Sequence, residues 1–285
     1  MTPPGERRER GKRRDGEDGA GRGRPVPAHD EGLPPPAAAP HEDGGDHDVP
    51  PAVSAFADGL GDLPWVRDLL VAGSLATGDH VPGVSDLDLV AIVDAPLDTA
   101  RTHRVVGLHR ALDRGAAEGA DLGCVYVAED ERLDVSVRHP TWTHGDLVER
   151  ILSGVTRAEL VHHGFAVFGR EPSGLFPPMS DDDVRAAARA ELCGYWTWAA
   201  RRPHLWRSPA MVDLGLTSMA RGRHALVTGT LLTKSAAVEQ ADAPPWLVEQ
   251  LRARRQSRPV TSPRLRSGWM AWRDAVRTTA AARRS

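Results

Sequence analysis

The stretch from Trp65 to Val93 constrains the fold more than any other part of the chain. It holds an apolar run, Trp65–Ala72 (WVRDLLVA), a Gly73-Ser74 pair, a loop containing Gly and Pro, and a second run, Asp86–Val93 (DLDLVAIV). Both runs have the length and apolar character of strands, and the loop between them punctuates the pattern. Asp86 and Asp88 are two apart, so on a strand both carboxylates project from one face. Like charges side by side on an apolar strand are costly unless a cation neutralises them. Hard oxygen ligands so placed suit Mg²⁺, which commonly joins one or two carboxylates to substrate phosphates. Gly73 lets a backbone approach closely, and Ser74 offers a hydroxyl and an N–H to phosphate oxygens. An isolated Asp-x-Asp more often marks a strand that starts at a polar turn, with its second acid in solvent. The Gly-Ser pair closing the preceding strand reverses those odds.

The rest of the chain falls into blocks around this centre. Residues 1–62 are rich in Gly, Pro, Ala and charge without apolar periodicity, and predict a disordered tail. Its acidic part, with His29, His41 and His47 among aspartates and glutamates, reads as solvated rather than metal-binding. Structure is expected from Leu63, with a helix over 99–118 carrying Val105, Leu108 and Leu112 at helical spacing. A third strand follows at Asp121–Val127 and a fourth at 132–137. From Asp146 the period becomes helical, through Leu147, Ile151, Leu152 and Val155. Ser180 followed by Asp181–Asp183 marks a helix start. Further helices are predicted at 181–201, 209–228, 233–242, 245–256 and 264–283. The layout is a tail (1–62), a small α/β domain (63–145), an all-helical domain (146–256) and a basic C-terminal helix or tail (257–285).

Charge and cysteine narrow the classes. The net charge of −3 hides an asymmetry, with ten arginines and one acid, Asp274, between Arg252 and Ser285. A solvated helical face explains that cluster better than a nucleic-acid contact. Cys124 and Cys193 show no metal spacing and read as reduced thiols. No apolar run reaches the ~18–20 residues of a membrane helix, and the N-terminus has no apolar signal-peptide core. A cytoplasmic monomer is expected.

The Gly-Ser, spacer, Asp-x-Asp pattern resembles the signature of the polymerase-β-like nucleotidyltransferases. It is more closely similar to the aminoglycoside adenylyltransferases that modify streptomycin and spectinomycin, across roughly residues 63–256. The resemblance implies an α/β (α+β) N-terminal nucleotidyltransferase domain with a short mixed sheet, followed by an all-helical C-terminal domain. It implies AMP transfer from ATP to a hydroxyl of a small molecule, with two Mg²⁺ ions. Asp86 and Asp88 would hold metal, and Gly73 and Ser74 would grip the nucleotide phosphates. Asp121, opening ADLGCVYV, matches a third carboxylate that is a glutamate in the family, and would serve as general base or third metal ligand. Arg221 and Lys234 flank a Thr-Gly pair at the spacing of two phosphate-contacting residues of the family. Lys234 stands out because Lys12 is the only other lysine among 36 basic residues. A compact ammonium suits a triphosphate.

The acceptor side is weaker. Trp142 lies near the family's aromatic substrate contact, though a core tryptophan fits equally well. Streptomycin-modifying enzymes carry acids just before the position of Arg221. Here that stretch holds Arg201, Arg202 and Arg207, with Asp213 at its end and Glu191 further back. Competing readings are a transferase acting on protein or tRNA, and a non-catalytic nucleotide-binding module of the same fold.

Overall fold

A computed structural model describes residues 49–284. The proposed tail up to Asp48, with its acid and histidine cluster, lies outside the described residues. Pro51–Gly61 nonetheless corrects the expected boundary at 62. It forms helix α1, started by a proline at its first turn, and buries Val53, Phe56 and Leu60 completely. The Gly- and Ala-rich composition masked this single apolar stripe.

Strands β1 (Val66–Val71), β2 (Leu87–Val93), β3 (Leu122–Ala128), β4 (Arg138–Thr143), β5 (Asp146–Ile151) and β6 (Phe165–Phe168) form one mixed sheet in the order β5-β4-β3-β2-β1-β6. Strands β2 and β3 are parallel, joined through helix α3 (Thr99–Asp113), and the other pairs are antiparallel. Period-two alternation sends Leu69, Val71, Leu87 and Leu89 to one face, against Phe56, Leu60 and Val105 of α1 and α3. The opposite face carries Leu70, Val90, Ile92 and Val127, covered by Leu160 of α4 (Gly154–His163) and by Leu175 of α5 (Pro172–Leu175). Asp88 sits on this second face, in β2, between apolar neighbours.

Two strands replace predicted helix. Asp146–Ile151 pairs with β4 through a two-residue hairpin whose His144 and Gly145 both have positive φ, 50° and 81°. That is the conformation a tight hairpin turn requires. Phe165–Phe168 adds at the edge of β1. The sheet therefore runs past the boundary expected at 145, and the fourth strand lies at 138–143 rather than 132–137.

Beyond the sheet the chain is helical. Ser180 caps α6 (Asp181–Glu191) in a full capping box with Asp183. A π-helical turn (Leu192–Trp196) and α7 (Thr197–Ala200) continue it. Helices α8 (Pro209–Thr228), α9 (Lys234–Glu239), α10 (Pro245–Arg255) and α11 (Arg264–Ala282) complete this half. The basic stretch forms α11, which packs on α8 and buries Ala271, Asp274 and Ala275, with Arg223 paired to Asp274 at 2.7 Å. Among the described residues no helix is long and apolar enough to cross a membrane.

Candidate active site

At the end of β1 the chain turns through Gly73, with φ +61°, into the short helix α2 (Gly73–Ala76). The turn passes so close to β2 that a Cβ at Gly73 would overlap Asp88 Oδ2. Ala72 donates its N–H to the Asp88 carbonyl at 2.9 Å, which fixes this approach. Ser74 is buried, and its Oγ is without a hydrogen-bond partner. A buried hydroxyl left unpaired is costly, so this atom is poised for a ligand oxygen.

The helical half meets this side of the sheet by direct contacts. Lys234, at the start of α9, donates from Nζ to Asp86 Oδ1 at 2.7 Å. Arg221 of α8 pairs with Glu159 of α4, and its Nε donates to the Leu232 carbonyl at 2.9 Å. Arg255, at the end of α10, reaches Asp79 Oδ2 at 3.0 Å and Ser85 Oγ at 2.8 Å. Asp79 also accepts the Ser235 N–H at 2.9 Å. Three acids on the sheet side thus face three cations from the helical side.

These contacts set the protonation of the two strand acids. Burial alone would raise Asp86, but the Lys234 ammonium and its hydrogen bond hold this carboxyl below its usual range. Asp88 has no such partner. Burial and then the neighbouring Asp86 charge push it up to about 7, with Glu159 adding to the repulsion. A divalent cation would relieve this pair. Lys234 already places a cation on Asp86, and two carboxylates are what Mg²⁺ usually takes from a protein beside phosphate oxygens. The residues therefore fit the ion, although among the described residues no three acids, histidines or cysteines converge as a closed metal cage.

A cavity of about 200 Å³ opens beside Asp88, lined among others by Gly123, Thr141, Thr143, Arg150 and Thr156. Trp142 borders it but is 1% exposed and stacks on His109, with centroids 4.8 Å apart, so most of its surface belongs to the core. Asp121 precedes β3 at φ +46° and is exposed, 3.6 Å from His144 Nδ1. Glu191 accepts from Trp196 Nε1 at 3.1 Å and borders a narrow space beside Arg221, away from that cavity. Asp213 is held by Arg254 at 2.6 and 2.7 Å and does not line the cavity either.

The structure thus brings Gly73, Asp86, Asp88, Arg221 and Lys234 near one another, with Ser74 next to Gly73. Asp79, Glu159 and Arg255 were missed in the sequence. Glu159 was legible as a lone acid in an apolar helix (RAELV), and Arg255 was absorbed into a run of arginines.

No protein-family model and no curated protein matches the sequence. Among solved structures, spectinomycin adenyltransferase AAD(9) from Enterococcus faecialis, solved with ATP and spectinomycin, is similar with a TM-score of 0.62. The match covers 80% of this chain and 98% of that one, at 13% identity. By this likeness the chain shares the fold of that adenyltransferase.

Proposed function

We propose that the chain is a Mg²⁺-dependent adenylyltransferase that moves AMP from ATP to a hydroxyl of a small molecule. The observation that carries this reading is the meeting of Lys234 with Asp86, two residues before the Asp88 side chain that abuts Gly73. It places a cation from the helical half against a strand carboxylate, beside a buried hydroxyl without a partner. Asp86 and Asp88 would hold the metal, which neutralises charge on the phosphate oxygens when bound. Gly73 leaves room for the phosphates, and Ser74 Oγ donates to one of them. Lys234 and Arg221 exchange their carboxylate partners for phosphate oxygens and stabilise the departing pyrophosphate. The acceptor occupies the cavity beside Asp88, and Asp121, which stands outside that lining at the start of β3, would take its proton only with the acceptor hydroxyl at that edge. The ATP and spectinomycin of the structurally similar enzyme support an aminoglycoside or aminocyclitol as the acceptor class.

The test is pyrophosphate release from ATP and Mg²⁺ with spectinomycin, streptomycin or myo-inositol, with Asp88→Asn as control. Release that depends on an acceptor and is lost in the variant supports the reading. Release that needs no acceptor, or survives in the variant, contradicts it.

A further inference from the structure

The cavity beside Asp88 carries an uneven set of charges. Of its lining residues only Asp88 and Arg150 are charged, while Thr141, Thr143 and Thr156 supply neutral hydroxyls. Gly123 stands opposite Asp88 in the parallel register of β2 and β3, so no side chain fills the space beside that carboxylate. Arg150 lies on β5, at the far edge of the sheet, and its guanidinium has no hydrogen-bond or ion-pair partner among the described residues. A second guanidinium adds positive charge at this end. Arg157 is buried and bonds the main-chain carbonyls of Leu152, Arg132 and Asp134, with no carboxylate among these partners. Leu152 is itself part of the lining.

No carboxylate in this cavity is left to receive an ammonium. On the transferase reading, Asp88 is taken by the metal. Asp86, Glu159, Glu191 and Asp213 do not line the cavity, and each is engaged by a donor, from Lys234, Arg221, Trp196 and Arg254 in turn. A site for a polycation needs acids that remain unpaired, because an ammonium leaves water at a high cost without an opposite charge. An unpaired guanidinium instead offers parallel N–H donors that match a carboxylate or a phosphate. The threonine hydroxyls donate and accept, which suits a polyol.

We propose that Arg150 selects the acceptor by charge, favouring a small polyol that carries an anionic group, carboxylate or phosphate, toward β5. This rests on the transferase reading above, and it favours anionic polyols over the cationic aminocyclitols that the likeness of fold alone supports. The threonine hydroxyls bond the polyol, Arg150 holds its anionic group, and its reacting hydroxyl lies toward Asp88. An acceptor that turns an ammonium to the β5 end meets a like charge. Arg150 touches the acceptor and not the transferred phosphorus, so it acts on acceptor binding. Such selectivity is a difference of two affinities, set by repulsion of the wrong partner as well as by attraction of the right one.

The experiment is calorimetric titration of the full chain, with Mg²⁺ and an ATP analogue that cannot release pyrophosphate. The probes are a myo-inositol monophosphate, glucuronate, myo-inositol and spectinomycin. The unmodified chain should bind at least one of the two anionic polyols more tightly than myo-inositol, and spectinomycin most weakly. The tighter of the two anionic probes shows whether phosphate or carboxylate is received. Arg150→Gln should weaken that probe by about 1.5-fold to fivefold, the scale of an exposed charge pair, and leave myo-inositol within about twofold. Arg150→Glu should weaken it further and strengthen spectinomycin, a reversal that a general loss of structure would not produce. Spectinomycin bound at least as tightly as both anionic polyols, a preference unchanged in Arg150→Glu, or no binding of any probe would overturn the proposal. Pyrophosphate release from ATP is measured in parallel. A probe that binds with this charge preference but supports no release would overturn the transferase reading and leave the charge preference of the cavity standing.

Discussion

Lys234 Nζ and Asp86 Oδ1 are 2.7 Å apart, joining the start of α9 to the residue just before β2. The lysine stands where a metal-bound phosphate would need both partners free. On the proposed function, metal and nucleotide part this pair, one taking the carboxylate and the other the ammonium. Lys234→Ala should bind Mn²⁺ more tightly than the unmodified chain when no nucleotide is present. Both side chains are partly exposed, so the gain should be modest, about 1.5-fold to fivefold. The same variant should bind ATP more weakly. Calorimetric titration of each ligand alone checks both directions, and weaker Mn²⁺ binding would contradict the exchange.

Gly73 has no room for a side chain, because Asp88 Oδ2 occupies the place of a Cβ and φ is +61°. Gly73→Ala should cost about 1–3 kcal/mol of stability and push the Asp88 carboxylate off its position. Chemical denaturation and Mn²⁺ binding should both show the loss. A variant as stable as the parent would mean that the turn is not held against β2.

Asp88 is held at about 7, against an ordinary value of 3.8, by burial and by Asp86. Between those two values the folded chain keeps a proton that the unfolded chain has lost. Stability therefore falls as pH rises from about 4 to about 7. Asn cannot ionise, so Asp88→Asn in metal-free buffer should melt higher than the parent at pH 8. The gap should narrow towards pH 5. A gap independent of pH would contradict the strained state of this carboxyl.

Phe56 is fully buried between α1 and the sheet. Phe56→Ala should lose about 3–5 kcal/mol, measured by urea denaturation. A surface-like loss below 1 kcal/mol would contradict the integration of α1 into the core.

The candidate site was legible in the sequence where it depends on short-range spacing. Gly73-Ser74 and Asp86-x-Asp88 lie on either side of one loop, and strand alternation alone puts both carboxylates on one face. The helical half was likewise readable from caps and period, as at Ser180. What stayed hidden depends on long-range contact. Strand β5 looked helical because Leu147 and Ile151 are four apart, although the His144-Gly145 turn before it was a hairpin signal. Glu159 gains meaning only when α8 brings Arg221 to it, and Arg255 only when α10 ends beside Asp79. Asp121 is legible as an acid opening β3, but its left-handed backbone and the approach of His144 to 3.6 Å depend on two separate turns.

On the proposed function the α-phosphorus of ATP is the one transferred, which isotopic labelling reads directly. The chain would be incubated with Mg²⁺ and acceptor, using ATP labelled at either the α- or the γ-phosphorus, with Asp88→Asn in parallel. The account predicts that α-label appears in the acceptor, that γ-label leaves as pyrophosphate, and that the variant does neither. Transfer of γ-label to the acceptor would make the chain a kinase and contradict the account.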